Sequence, residues 1–290
     1  MQMVFHLGVH GTDGDRLLKT LLNNRAWLLR NRTEVISPAR HRGLFEEAIM
    51  ALNGGPATPG MQQIMLDAML ESDAPQRVVM SSPTLLGTPG RAIGPEGLYP
   101  HIGNRAAALA NLFPQAQSEF FVAIRNPAVL LPKLMHLTSG DYESLMQGCA
   151  PGNLRWRDTI RRLASAAQGR RVVVWCHEDV PLIWPELVRL AGDMPPESPL
   201  SGALLYMHEL LGDDGLDKLR TALGGHDQLT IRQRRQICAE ILQTDILPDI
   251  AEEDVNLPGW TQELVDETTE TFRADVAEIA VLPGVEFVLP

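Results

Sequence analysis

Val4-Phe5-His6-Leu7-Gly8-Val9-His10-Gly11-Thr12-Asp13-Gly14-Asp15-Arg16 is the stretch that decides the fold. Its first six residues have the apolar character of a short buried strand, and its last residues begin an amphipathic helix predicted over residues 15–31. A Gly-rich turn joins the two. In such a strand-turn-helix unit, backbone N–H groups and the helix dipole bind a phosphate or sulfate. The stretch therefore predicts an α/β fold with an anion-binding loop after its first strand.

The rest of the chain alternates strands with helices. Helices are predicted at residues 44–52, 61–70, 104–112, 128–137 and 154–167, and further strands at residues 34–36, 77–82, 119–124, 171–176 and 285–289. This alternation predicts a parallel sheet flanked by helices. Gly and Pro are so frequent in residues 85–103 that a long irregular loop is expected there.

After residue 180 the pattern becomes helical, which predicts a helical C-terminal addition, a cap or insertion around residues 180–260, followed by a long helix at residues 260–280. We expect a single domain over residues 1–290, since α/β folds often reach this length as one unit. Within the addition, the acidic run Glu252-Glu253-Asp254 is interpreted as a set of surface or helix N-terminal acids.

Composition narrows the class of protein. The formal net charge of −11 argues against nucleic-acid binding, because that affinity comes largely from Lys and Arg neutralising phosphates. The densest basic stretch, residues 155–171, is expected to be a solvated helix face. Three widely spaced cysteines without a C-x-x-C pair favour a reducing compartment, so a cytoplasmic location is predicted. No signal peptide, membrane span or metal-ligand motif is recognised.

The loop does not match the nucleotide-binding pattern G-x-x-x-x-G-K-[ST]. Counting from Gly8, Asp13 stands where the second Gly is required, and Gly14 and Asp15 stand where Lys and Ser or Thr are required. An ATPase or GTPase is therefore not predicted.

The loop and the helix after it match a sequence pattern other than the nucleotide-binding one. His10-Gly11-Thr12-Asp13-Gly14-Asp15 takes the place of a His-Lys-Thr-Gly-Thr-Thr type loop, and Asn24-Arg25-Ala26-Trp27-Leu28-Leu29 takes the place of an Asn-Arg-x-x-Leu stretch. Arg125-Asn126-Pro127 ends a later strand, and Leu282-Pro283-Gly284-Val285 follows the last helix, both in the expected order. The chain thus resembles the bacterial sulfotransferase-like family, which has a P-loop-type fold.

The resemblance implies binding of adenosine 3′-phosphate 5′-phosphosulfate as donor and transfer of its sulfuryl group to a small-molecule or glycan hydroxyl. Arg125 matches the family's Arg that holds the 3′-phosphate. His10 and His136 are the candidate catalytic bases. Together with Arg125, the donor-binding candidates are the loop residues Gly11, Thr12 and Gly14 and the nearby cations Arg16 and Lys133.

Several positions depart from the family pattern. Gly11 replaces the loop Lys, Gly14 and Asp15 replace two hydroxyl-bearing residues, and Lys133 replaces a Ser. Asp13 and Asp15 also place carboxylates where an anion is expected, and two like charges ~4 Å apart repel by about 1 kcal/mol in water.

Three hypotheses remain open. The first is a protein with a degenerate or remodelled donor site that serves as a non-catalytic binding or interaction module, so that a protein partner is conceivable. The second is a working transferase in which Arg16, Lys19, Arg125 and Lys133 rebuild the anion site. The third is another nucleotide-dependent enzyme on the same fold.

Locally, Arg16 is expected to pair with Asp13 or Asp15. Ser81 and Ser82 lack a G-x-S-x-G elbow, which disfavours a hydrolase.

Overall fold

The computed structural model describes residues 1–225, 229–248 and 255–290. Within these ranges the chain forms a six-stranded sheet flanked by helices, as the alternation of strands and helices predicts. The strands of the sheet are β1 (Gln2–His6), β2 (Thr33–Ile36), β3 (Arg77–Ser81), β6 (Gln117–Ile124), β7 (Arg171–Cys176) and β8 (Val285–Phe287). A separate ribbon is formed by β4 (Ile93–Gly94) and β5 (Gly97–Leu98).

Helices cover both faces of the sheet. They are α1 (Arg16–Asn23), α2 (Arg25–Arg30), α3 (Pro38–Leu52), α4 (Pro59–Met69), α5 (Ile102–Leu112), α6 (Pro127–Thr138), α7 (Tyr142–Met146), α8 (Trp156–Ala167), α9 (Val180–Gly192), α10 (Leu205–Gly224, kinked at Gly212), α11 (Ile231–Asp245) and α12 (Gln262–Ala280). The helical addition predicted after residue 180 contains α9 to α11, and the acidic run at residues 252–254 lies outside the described residues.

The order of the strands in the sheet is β2-β3-β1-β6-β7-β8, and every neighbouring pair is parallel. The chain moves from β1 to one side of the sheet for β2 and β3, and then crosses to the other side for β6. Ligands of open α/β sheets bind at the carboxyl ends of the strands where the winding direction reverses. This topology puts the loop after β1 beside the residues that follow β6.

Successive side chains of β1 point to opposite faces of the sheet and belong to two separate hydrophobic cores. Phe5 stacks on Phe120 and packs near Phe113, in a core that also contains Phe45 of α3. Val4 faces the opposite side, where α1 and α9 supply the cover. A smaller cluster joins α9, α10 and α11. Because successive strand residues point to opposite faces, His6 belongs to the α1 and α9 side with Val4.

Two local predictions were wrong. The helix predicted at residues 15–31 is divided at Asn24, whose side chain donates to the Thr20 and Ser201 carbonyls and accepts the Ser201 N–H. The basic stretch at residues 155–171 is not simply a solvated face. Arg155 binds the buried Asp275 of α12, and Arg157 and Arg161 bind Glu278, so this side of α8 attaches α12 to the domain.

Candidate functional site

The loop after β1 continues the sheet before it turns. The Leu7 N–H donates to the Phe121 carbonyl, and the Ala123 N–H donates to the Gly8 carbonyl. Gly11 then lies against α6 with φ +76°, and a Cβ added there would stand 3.1 Å from Lys133 Cβ and 3.2 Å from Leu130 Cδ1. A side chain at position 11 would meet α6, so a glycine at this position permits the close approach of the loop and the helix.

The Asp13 side chain lies at the N-terminus of α1. Its Oδ2 accepts the Leu17 N–H at 3.1 Å, and the side chain is only 6% exposed. The Asp13 carbonyl accepts both the backbone N–H of Arg16 and its Nη1, each at 3.1 Å. A helix N-terminus attracts anions through its free N–H groups and dipole. Here the protein's own carboxylate occupies part of that position.

His6 connects Asp13 to β3. Its Nδ1 is 2.7 Å from Ser81 Oγ, its Nε2 is 3.7 Å from Asp13 Oδ1, and its ring stacks on Trp175. Burial lowers the pKa of His6, partly opposed by the Asp13 charge. The three residue types of a hydrolase triad thus come together. However, Ser81 and His6 are almost fully buried and Pro83 follows closely, so the chain of contacts holds the loop onto the sheet without presenting a nucleophile to solvent.

Arg125 holds the loop from the other side. This buried side chain donates from Nη1 to the Gly11 carbonyl at 2.5 Å, and its own carbonyl accepts Trp156 Nε1–H at 2.6 Å. Thr12 Oγ1 donates to the Val9 carbonyl at 2.6 Å, within the loop itself. Two of the predicted donor-binding residues therefore have contacts that shape the loop.

Arg16 does not form the expected carboxylate pair. Its guanidinium binds both oxygens of Glu209 on α10, at 2.9 Å and 3.0 Å from Nε, while Asp15 pairs with Lys19 at 2.9 Å. The prediction of a salt bridge from Arg16 to Asp13 or Asp15 was wrong because α10 brings a carboxylate that local sequence does not reveal. Gly14, at φ +64°, lies next to Arg16 at the exposed tip of the loop.

Three of the predicted cations converge on His177, at the end of β7. Burial lowers the pKa of His177 to about 3, and the positive charges of Arg125, Arg16 and Lys133 lower it further. Such charge effects require proximity, so the cations at the start of α1, directly after β6 and on α6 all lie in the neighbourhood of His177. His177 itself was not predicted, although its position directly after a strand was a usable signal.

Tyr206 of α10 closes this cluster. The guanidinium of Arg16 lies 5.4 Å from the centre of its ring, and the ring packs edge-on against His177 and Trp184. Burial and the Asp13 charge raise the pKa of its phenol. Among the described residues the hydroxyl has no hydrogen-bond partner. No sequence signal pointed to Tyr206, because it is far away along the chain and follows no strand.

The two predicted catalytic bases, His10 and His136, lie in different surroundings. His10 Nε2 lies 3.2 Å from the Gly87 carbonyl and Nδ1 lies 3.2 Å from the Tyr99 hydroxyl, which also accepts the His10 N–H. Burial lowers the pKa of His10 to about 4. His10 is thus a neutral, hydrogen-bonded packing residue. His136 is exposed in the last turn of α6.

Comparison with known proteins does not identify a family. No protein-family model matches the chain, and no curated protein matches it. Within the part of the chain that the structure describes, no helix is long and apolar enough to cross a membrane, and no three His, Cys, Asp or Glu side chains are grouped as metal ligands would be.

Proposed function

We propose that this chain is a sulfotransferase-like protein with a remodelled donor site, and that it acts as a binding or interaction module rather than transferring sulfuryl groups. The observation that carries the proposal is the buried Asp13 carboxylate, which accepts the Leu17 N–H at the N-terminus of α1. A donor sulfonate or phosphate needs that same helix end. The loop residues therefore do not fit adenosine 3′-phosphate 5′-phosphosulfate in the way that the resemblance implies.

Electrostatics support this proposal. A ligand anion ~4 Å from the Asp13 carboxylate would be repelled by about 4 kcal/mol at an effective dielectric constant of about 20. Arg16, which lies beside Gly14 at the tip of the loop, is already bound by Glu209. His10 lacks the basicity expected of a general base at neutral pH, since the pKa of a useful base lies near the working pH.

A working sulfotransferase is the alternative, and one observation favours it. Arg16, Arg125 and Lys133 together act on His177, so positive charge is concentrated beside the loop in a chain of net charge −11. In that case the three cations would hold the donor, and the acceptor would be a small-molecule or glycan hydroxyl.

Calorimetric titration with adenosine 3′,5′-bisphosphate at low salt separates the two functions. We expect no saturable heat with the wild-type protein and measurable binding by Asp13→Asn, because the amide oxygen can still accept the Leu17 N–H without the negative charge. The Kd of Asp13→Asn should be at least about tenfold below the detection limit that bounds the wild-type Kd, which corresponds to about 1.4 kcal/mol.

Asp15→Asn is the matched control, since it removes the same charge from an exposed side chain of the same loop. It should leave the titration unchanged. Micromolar binding by the wild type that Arg125→Ala abolishes, with the variant still folded by circular dichroism, would contradict the proposal and favour the transferase alternative, which an acceptor screen would then test.

A further inference from the structure

A cavity lies next to the loop, on the far side of His10. It has a volume of about 850 Å³ and is bounded by α3, the turns after β3 and the start of α5. This volume is within the range typical of small-molecule sites. Its lining residues are Arg42, Glu46, Thr84, Leu86, Gly87, Thr88, Pro89, Arg91, Tyr99, His101, Ile102, Asn104 and Arg105.

The charges in this cavity are mostly positive. Arg105 is engaged, because it binds Glu46 at 2.7 Å and the Leu85 carbonyl at 2.9 Å. Arg42 and Arg91 are exposed on the wall and form no ion pair with any described residue. Within a chain of net charge −11, three arginines opposed by one glutamate make this a local site of attraction for anions.

The floor of the cavity is firmly held. Tyr99 stacks on Trp156 and on His10, and its hydroxyl bonds to His10. The carbonyl of Gly87, at the cavity edge, lies 3.2 Å from His10 Nε2. Leu86, Tyr99 and Ile102 line the cavity and are each less than a tenth exposed, so they give it a small, rigid apolar floor. A pre-formed apolar surface with a few charged groups above it is the usual form of a small-molecule site.

We infer that this cavity binds a small organic anion, with an apolar or aromatic body on the floor and a carboxylate, phosphate or sulfate group paired with Arg42 and Arg91. The inference goes beyond the proposed function, because it assigns a ligand class to a site that needs no adenosine-containing donor. Arginine suits this role because its planar guanidinium binds such groups with two parallel hydrogen bonds.

A second cleft of about 870 Å³ provides an internal comparison. It lies among α9, α10 and α11, and its charges are balanced, with Arg171, Arg189 and Arg234 facing Glu186, Asp193 and Glu197. Arg234 is paired with Glu186, and Arg171 with Glu286. Of these two clefts, which are similar in volume, only the one beside His10 has an excess of positive charge.

The test is a titration of the full-length protein with 4-hydroxybenzoate, phenyl phosphate and the neutral 4-hydroxybenzamide, followed by calorimetry and saturation-transfer NMR. At least one of the two anions should bind at least tenfold more tightly than the amide. The double variant Arg42→Gln/Arg91→Gln should weaken that anion at least tenfold. Arg232→Gln, which removes an exposed arginine from α11, should change nothing.

The inference is overturned if neither anion binds, if anion and amide bind equally, or if the double variant binds as the wild type does while remaining folded. Because the probes contain no adenosine, this result is independent of the titration with adenosine 3′,5′-bisphosphate. The two titrations together distinguish a remodelled donor site beside a cavity that binds anions from an active donor site beside a cavity that does not.

Discussion

Replacement of Arg77 by Met should lower the free energy of unfolding by about 3–5 kcal/mol, the typical cost of breaking a buried ion pair by removing one partner. Arg77 binds both oxygens of Glu119, at 3.0 Å and 3.1 Å, and both side chains are less than a tenth exposed. The same guanidinium donates to the Ala191 carbonyl at 2.9 Å and to Gln2 Oε1 at 2.8 Å. One side chain thus joins β1, β3 and β6 to α9.

Urea denaturation followed by circular dichroism measures this effect. The control is Arg273→Met, which removes an exposed ion pair with Glu270 on α12, where both side chains are 69% exposed. Such a surface pair contributes about 0–1 kcal/mol. A loss below about 1 kcal/mol for Arg77→Met, comparable with the control, would mean that Arg171, the other partner of Glu119, compensates on its own.

Acidification should destabilise the protein well before its carboxylates are protonated. Burial lowers the pKa of His10 and of His41 to about 4, from an ordinary value of about 6.5. The folded state therefore binds fewer protons than the unfolded state between these values. Stability is complete above pH ~6.5 and falls as the pH drops toward 4, by about 1.4 kcal/mol per pH unit for each histidine. At pH 5 each costs roughly 2 kcal/mol.

The His41→Leu variant isolates the contribution of His41 to the pH dependence of stability. Neither ring nitrogen of His41 has a hydrogen-bond partner among the described residues, and the ring packs against Phe45, so an apolar side chain is tolerated there. Unfolding free energies at pH 7.5 and pH 5.0 should differ by roughly 2 kcal/mol less in this variant than in the wild type. The exposed His208 of α10 provides the control, and His208→Gln should retain the full wild-type difference. An unchanged difference in His41→Leu would contradict the prediction.

The sheet was predictable because its strands are short apolar runs between clear turns. Residues 171–176 were predicted as a strand and form β7, and the strand predicted at residues 119–124 lies within the buried part of β6. The division at Asn24 was not predictable, since the leucines on both sides continue one apolar stripe. Its cause is a hydrogen bond to Ser201, far away along the chain. In residues 85–103, the small ribbon of β4 and β5 likewise carries no periodic signal.

The candidate site was predictable only in part. Arg125 was chosen from a resemblance, and Arg16 and Lys133 as cations near the predicted loop; Arg125 and Lys133 both approach Gly11 in the structure. The carboxylate partner of Arg16, Glu209 on α10, comes from an element that follows no strand and matches no motif. The reason for a glycine at position 11 is a contact with α6, which sequence alone does not reveal.

The stack of His6 on Trp175 gives the protein a built-in optical reporter. The two ring centres are 5.7 Å apart, and the same imidazole faces Asp13 across 3.7 Å. Movement of the Asp13 carboxylate would change the electric field around the imidazole and, through it, around the indole. We therefore expect the emission of Trp175, one of five tryptophans in the chain, to respond to the occupancy of the helix end.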